Sequence, residues 1–173
     1  MLHPGILEGR AALVAGGGDA TAERLRSLGA TLVDPSAERV DTLVYEGGAV
    51  FRAAAASGDE PLAPFRACVD GAWELVRDVA VRAWIPDEGG KAVLVGPRPS
   101  DGDHAGPARA ALENAARTLS IEWARYGIRL TALTPGDSTT DQEIAELVAY
   151  LASPGGDYFS GARFDLGAVE VAK

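Results

Sequence analysis

The sequence predicts an α/β fold in which a doubly wound parallel sheet carries helices on both faces. Short runs rich in aliphatic and β-branched residues alternate along the chain with longer stretches whose apolar residues recur at helical spacing. The connections between them are short, so consecutive strands should pair in parallel through right-handed crossovers. A length of 173 residues with 47% hydrophobic residues suits one domain, expected over residues 1–173.

Each element has its own local signal. The strands are short buried runs, predicted at residues 11–15, 31–33, 41–45, 91–95, 128–133 and 162–166. The helices follow the i, i+3, i+4 rule and end near glycine or proline, predicted at residues 19–28, 64–84, 107–125 and 140–151. Thr140 and Glu143 fit a capping box at the start of the last helix.

One connection is too short for this pattern. The residues between the strands at 31–33 and 41–45 cannot form a full crossover helix. The sequence therefore predicts a shortened doubly wound sheet from which one βαβ unit is missing.

Composition excludes several kinds of partner. A net charge of −9 disfavours nucleic acid and anionic membranes. No apolar run reaches the length of a membrane span, and the first residues lack the features of a signal peptide. The single Cys68 cannot form an internal disulfide, so a cytoplasmic location is expected. No cysteine or histidine cluster has metal-ligand spacing, so no metal is expected.

A glycine-rich turn joins the first strand to the first helix. Gly16, Gly17 and Gly18 could let the backbone approach a pyrophosphate at the helix N-terminus. The following Asp19 would place a carboxylate there instead, and the alternative is a tight turn with Asp19 as the helix cap. Asp34, at the end of the second strand, could bind an adenosine ribose or simply belong to a turn.

Residues 105–136 read AGPARAALENAARTLSIEWARYGIRLTALTPG. This stretch resembles the catalytic helix and following strand of the short-chain dehydrogenase/reductase family, in particular its 3-oxoacyl-ACP reductase-like members. The late helix and the Ser160–Gly161 turn are similar as well. The resemblance implies a Rossmann-like fold, an NAD(P) cofactor, and Pro135 and Gly136 beside the nicotinamide.

The resemblance also implies that the family's catalytic residues are lost. The lysine position is Arg109, the tyrosine position is Ala105, the serine position is Pro97, and the asparagine position is Asp70. Carbonyl reduction needs an acid that delivers a proton, and alanine has none. The family's substrate-covering region is absent too, because residues 137–139 join the Pro-Gly turn almost directly to the last helix.

The sequence therefore favours a non-catalytic protein that acts as a structural or regulatory subunit, with no cofactor expected. Assembly is expected through the two long helices, as a homodimer or tetramer or as a heteromer with an active paralogue. Ala111 and Leu119 are the apolar positions expected to face the partner, and the three tryptophans, Trp73, Trp84 and Trp123, are expected to add to that interface.

Two alternatives remain. The first is a divergent NAD(P)-dependent oxidoreductase of the carbonyl reductase or alcohol dehydrogenase type, with His104 as a non-standard proton donor. The second is a small-molecule binding protein that uses the crevice at the strand ends, near Gly16, Tyr45 and Gly96.

Overall fold

A six-stranded parallel sheet runs through the computed structural model, which describes residues 2–58, 60–87 and 89–167. Its order is β2-β1-β3-β4-β5-β6. This is the order of a doubly wound dinucleotide-binding sheet without its outer third strand and with one more strand at the opposite edge. The strands are β1 (Ala11–Ala15), β2 (Thr31–Leu32), β3 (Thr42–Glu46), β4 (Gly90–Val95), β5 (Ile128–Pro135) and β6 (Arg163–Leu166).

Helices cover both faces of the sheet. The helices are α1 (Asp19–Ser27), α2 (Gly47–Ser57), α3 (Ala63–Val79), a π-helical turn (Ala80–Trp84), a short α4 (Ile85–Asp87), α5 (Ala105–Glu122) and α6 (Asp141–Ala152). One apolar cluster joins α2, α3 and α5 to one face, and a second joins α1 and α6 to the other. Neighbouring residues of β4 point into opposite clusters, as a sheet buried on both faces requires.

The predicted doubly wound α/β fold is confirmed, as is the missing βαβ unit, because β2 leads to β3 without a helix. The predicted capping box is also present: the Thr140 hydroxyl accepts from the Glu143 N–H at 3.2 Å, and Glu143 accepts from the Thr140 N–H at 2.8 Å. One element was missed. No helix was predicted between Tyr45 and Pro64, and α2 occupies most of that stretch.

The end of α3 holds the segment that replaces the missing unit. Arg82 donates to the carbonyls of Pro35, at 2.7 Å, and of Ala37. The indole N–H of the fully buried Trp84 donates to the Val40 carbonyl at 2.5 Å. Both side chains belong to the π-helical turn, a local widening that often marks a special demand on a helix. This turn therefore supplies hydrogen-bond donors to three carbonyls of the segment between β2 and β3.

The expectation about interface residues is corrected in part. Leu119 is 6% exposed and Trp84 is 1% exposed, so both belong to the core of the chain rather than to an outer face. Trp123 is partly buried against the same cluster. The helix phase explains this, because Ala108, Leu112, Ala116 and Leu119 form the stripe of α5 that faces the sheet. The exposed large apolar side chains of the two long helices are instead Trp73 and Ile121.

Among the residues that the structure describes, no helix combines the length and the apolar character that crossing a membrane requires. The same residues hold no group of three or more His, Cys, Asp or Glu side chains placed to bind a metal ion.

Candidate functional site

The candidate site is the crevice at the carboxyl ends of β1 and β3. The chain leaves β1 toward β2 on one side and returns to β3 on the other, which makes this gap the switch point where such folds bind ligands. Gly16, Gly17 and Gly18 form the turn, with φ values of 88°, 119° and 89°. Glycine accepts this left-handed backbone at little cost, and α1 begins directly after the turn.

Glu46 lies across this turn. Its side chain extends from the end of β3 to α1, where its Oε1 accepts a hydrogen bond from the Thr21 hydroxyl at 2.7 Å. A β-carbon at Gly18 would lie 2.6 Å from Glu46 Cγ and 2.8 Å from Oε1. The residue is only 7% exposed. A carboxylate therefore stands at the N-terminus of α1, the place where the fold would present a helix to a phosphate.

The predicted role of Asp19 as helix cap is wrong. The cap position of α1 is Gly18, and no side chain caps the helix. Asp19 is exposed in the first turn, where a negative charge still interacts favourably with the helix dipole. The carboxylate that lies against the glycine turn thus comes from β3 and not from α1.

A cavity of about 230 Å³ opens beside Glu46. Two ion pairs lie at its edge. Arg52 Nη1 is 3.1 Å from Asp101 Oδ2, and Arg98 Nη2 is 2.8 Å from Asp141 Oδ1. Burial raises the pKa of Glu46 above its usual range, Asp141 adds to this, and the Thr21 hydroxyl and the two arginines oppose it. The lining residues are Gly18, Asp19, Ala20, Thr21, Glu46, Ala49, Arg52, Asp141 and Ile144.

The ends of β3 and β4 approach each other closely. A β-carbon at Gly47 would lie 2.9 Å from the Val95 carbonyl oxygen, and one at Gly48 would lie 2.9 Å from that of Gly96. Only glycine permits this contact, and it lets α2 begin immediately after β3 and pack on the end of β4. The start of α2 therefore fills the space between these two strand ends.

Arg109, at the position of the family's lysine, joins the ends of β4 and β5. Its guanidinium donates to the Pro97 carbonyl at 2.7 Å and to the Pro135 carbonyl at 2.5 Å. Asp165 lies 4.0 Å away. With these partners the arginine side chain acts as a clamp between two strand ends.

The positions at which the resemblance places a tyrosine and an asparagine are Ala105 and Asp70. Neither residue places a proton donor in the crevice. Ala105 is fully buried at the start of α5. His104 precedes it, half-buried, and lines a different cavity of about 310 Å³ together with Phe51 and Pro64. Asp70 is exposed on α3.

The remaining predicted cofactor residues form local turns. Asp34 is exposed and accepts from the Ser36 hydroxyl at 2.5 Å and from the Ser36 N–H at 2.8 Å, and these bonds lower the pKa of its carboxyl group. Gly136 donates its N–H to the Thr139 hydroxyl at 2.9 Å. A β-carbon at Gly136 would lie 2.9 Å from Gly167 Cα, so this turn packs on the end of β6.

Tyr45 does not line the crevice as expected. It is 4% exposed, and its hydroxyl donates to the Ala67 carbonyl on α3 at 3.1 Å. Burial raises the pKa of its phenol well above the ordinary value. Tyr45 is thus a core residue on the α3 side of the sheet.

Sequence reasoning did not bring Glu46, Thr21 and Arg52 together. The missing signal was α2: the alanine-rich run of residues 53–56 has high helix propensity, and a helix starting at Gly47 fixes Glu46 at the end of β3.

No protein-family model matches the sequence, and no curated protein matches it. Solved structures do match the fold. A gluconate 5-dehydrogenase from Burkholderia cenocepacia, in complex with NADP and tartrate, has a TM-score of 0.76 at 20% identity over 93% of this chain and 94% of that one. A hydroxysteroid dehydrogenase from Escherichia coli has a TM-score of 0.74 at 18% identity over 96% of this chain and 98% of that one.

A ribose-5-phosphate isomerase from Brucella melitensis is similar too, with a TM-score of 0.78 at 18% identity over 97% of this chain and 95% of that one. The fold is thus a shortened Rossmann-like fold, similar to the folds of these solved structures. The names of these neighbours cover both oxidoreductases and an isomerase, so the activity has to be argued from the site.

Proposed function

We propose that this chain is a non-catalytic relative of the short-chain dehydrogenases that serves as a structural or regulatory subunit and binds no NAD(P). The observation that carries this proposal is the position of Glu46, whose buried carboxylate lies against the glycine turn at the N-terminus of α1. A pyrophosphate there would have to sit beside that negative charge in a poorly solvated crevice, which is costly.

The crevice also lacks the groups for proton transfer. Pro97 and Ala105 stand where the resemblance places a serine and a tyrosine, and neither side chain can donate a hydrogen bond. Arg109 is held by the carbonyls of Pro97 and Pro135. Hydride transfer to a carbonyl would therefore proceed without a positioned acid, a loss that typically costs 10²–10⁴-fold in rate.

The subunit role is supported by the two long helices. α3 and α5 cover the same face of the sheet, and each exposes one large apolar side chain. Trp73 is 45% exposed, and Ile121 is 73% exposed. In the turn that extends α3, Val81 is 62% exposed. Exposed aromatic and aliphatic groups on neighbouring helices suit the core of a protein–protein interface.

Ile121→Glu is expected to weaken assembly at least tenfold. Burying an isoleucine contributes about 1.5–3 kcal/mol, and a carboxylate in its place would be desolvated without a partner. Because Ile121 is exposed in the single chain, its replacement should leave the melting temperature of the monomer unchanged. Light scattering over a concentration series measures the effect.

Ala56→Glu, which introduces the same charge at an exposed small side chain of α2, is the matched control and should assemble as the unaltered protein does. A monomeric unaltered protein that captures no second subunit, or an Ile121→Glu variant that assembles normally, would contradict the subunit role.

The alternative is a divergent NAD(P)-dependent oxidoreductase that uses His104. Its specific support is the cavity of about 310 Å³ that His104 shares with Phe51 and Pro64, together with the NADP named in one structural neighbour. This function requires stoichiometric NADPH binding and a turnover that depends on His104.

A further inference from the structure

We propose that Glu46 is the specificity-determining residue of the crevice: its buried carboxylate excludes phosphate-bearing ligands from the N-terminus of α1. The inference deepens the proposed function and rests on it, because it names the residue that keeps cofactor phosphates out. It predicts that the site returns when this one side chain is changed.

The first step is steric. The Glu46 side chain is in van der Waals contact with Gly18, so its carboxylate occupies space that a phosphate oxygen would need in order to reach the first N–H groups of α1. The residue is more than nine-tenths buried and is held by the Thr21 hydroxyl, which leaves it little freedom to swing aside.

The second step concerns the backbone N–H groups at the N-terminus of α1. The helix has nine residues, and no side chain caps its first turn. Its N-terminal N–H groups therefore have the unmet donor capacity on which anion sites depend. The buried carboxylate of Glu46 supplies a negative charge from within the chain that interacts favourably with the positive N-terminal end of the α1 dipole.

The third step is the charge of the cavity beside Glu46. Asp19, Glu46 and Asp141 contribute negative charge, and Arg52 is the cation in the lining. Arg98 lies near and pairs with Asp141, and Arg52 pairs with Asp101. The balance is negative while Glu46 is ionised, which repels anions. Neutralising Glu46 removes the negative charge nearest the helix and lowers the excess of carboxylates over arginine in the lining from two to one, which weakens the repulsion of anions.

The test is calorimetric titration of inorganic pyrophosphate into the unaltered chain and into E46Q, E46A and D19N. E46Q removes the charge but keeps the bulk and the bond to Thr21, and E46A removes both. D19N is the matched control, since it removes one negative charge from the same cavity without opening the turn. The unaltered chain and D19N are expected to show no binding at about 1 mM, and E46A to bind at least tenfold more tightly than this limit. E46Q should lie between them.

Several results would overturn the inference. One is a folded E46A or E46Q that binds no more pyrophosphate than the unaltered chain, which would leave the proposed function intact. Another is a gain in D19N equal to that in E46Q, which would show a general charge effect. If E46A does not fold, as judged by circular dichroism, E46Q decides. Strong binding to the unaltered chain would instead count against the proposed function as well.

Discussion

Replacing Trp84 with alanine is expected to lower the free energy of unfolding by about 3–5 kcal/mol. Trp84 is the largest fully buried side chain, and its indole N–H bonds the Val40 carbonyl. The substitution leaves a cavity in the core, and it frees the segment that joins β2 to β3 without a crossover helix. Urea unfolding followed by circular dichroism measures the change.

Trp73→Ala is the matched control, because it makes the same change in the same long helix at a side chain that is 45% exposed. It should cost the isolated monomer less than about 1.5 kcal/mol, since a half-exposed side chain leaves no closed cavity. Equal losses for the two variants would show that the π-helical turn does not anchor the shortened connection.

Gly18→Ala is the second large effect, with an expected loss of about 2–5 kcal/mol. The left-handed backbone costs an L-residue about 1–2 kcal/mol, and overlap with a packed neighbour adds about 1–3 kcal/mol. At Gly18 that neighbour is Glu46, at 2.6 Å. The overlap is removed in an E46A background, so the two substitutions should be coupled by at least about 1 kcal/mol in a double-mutant cycle.

Gly58 provides the control for backbone strain alone. It has a φ of 70°, and a β-carbon there would meet no atom within 4 Å. Gly58→Ala should therefore cost only about 1–2 kcal/mol and show no coupling to E46A. If Gly18→Ala and E46A prove additive, Glu46 does not lie against the glycine turn in solution.

The strands and their order could be predicted because buried parallel strands are apolar runs bounded by turns, and because short connections restrict the topology. The missing βαβ unit followed from counting residues between 33 and 41. The expectation that Leu119 faces a partner was wrong, and the stripe of Ala108, Leu112 and Ala116 on α5 already points Leu119 inward.

The position of Glu46 could not be read from local pattern. It depends on α2 starting directly after β3, and that start depends on Gly47 and Gly48 fitting against the carbonyls of β4. Such a contact joins residues about 50 positions apart in the chain and is a property of tertiary packing. A glycine pair after a strand reads equally well as a turn, and for this reason the helix was missed.

The crevice is expected to hold its own anion, the Glu46 carboxylate, and to bind no dinucleotide. Titration of the unaltered protein with NADH and with NADPH, followed by nicotinamide fluorescence, tests it most directly. We expect no saturable signal up to about 1 mM of either cofactor, which corresponds to a binding free energy weaker than about −4 kcal/mol. Saturation at micromolar concentration, with one cofactor per chain, would contradict the claim and would make His104 the first residue to test for catalysis.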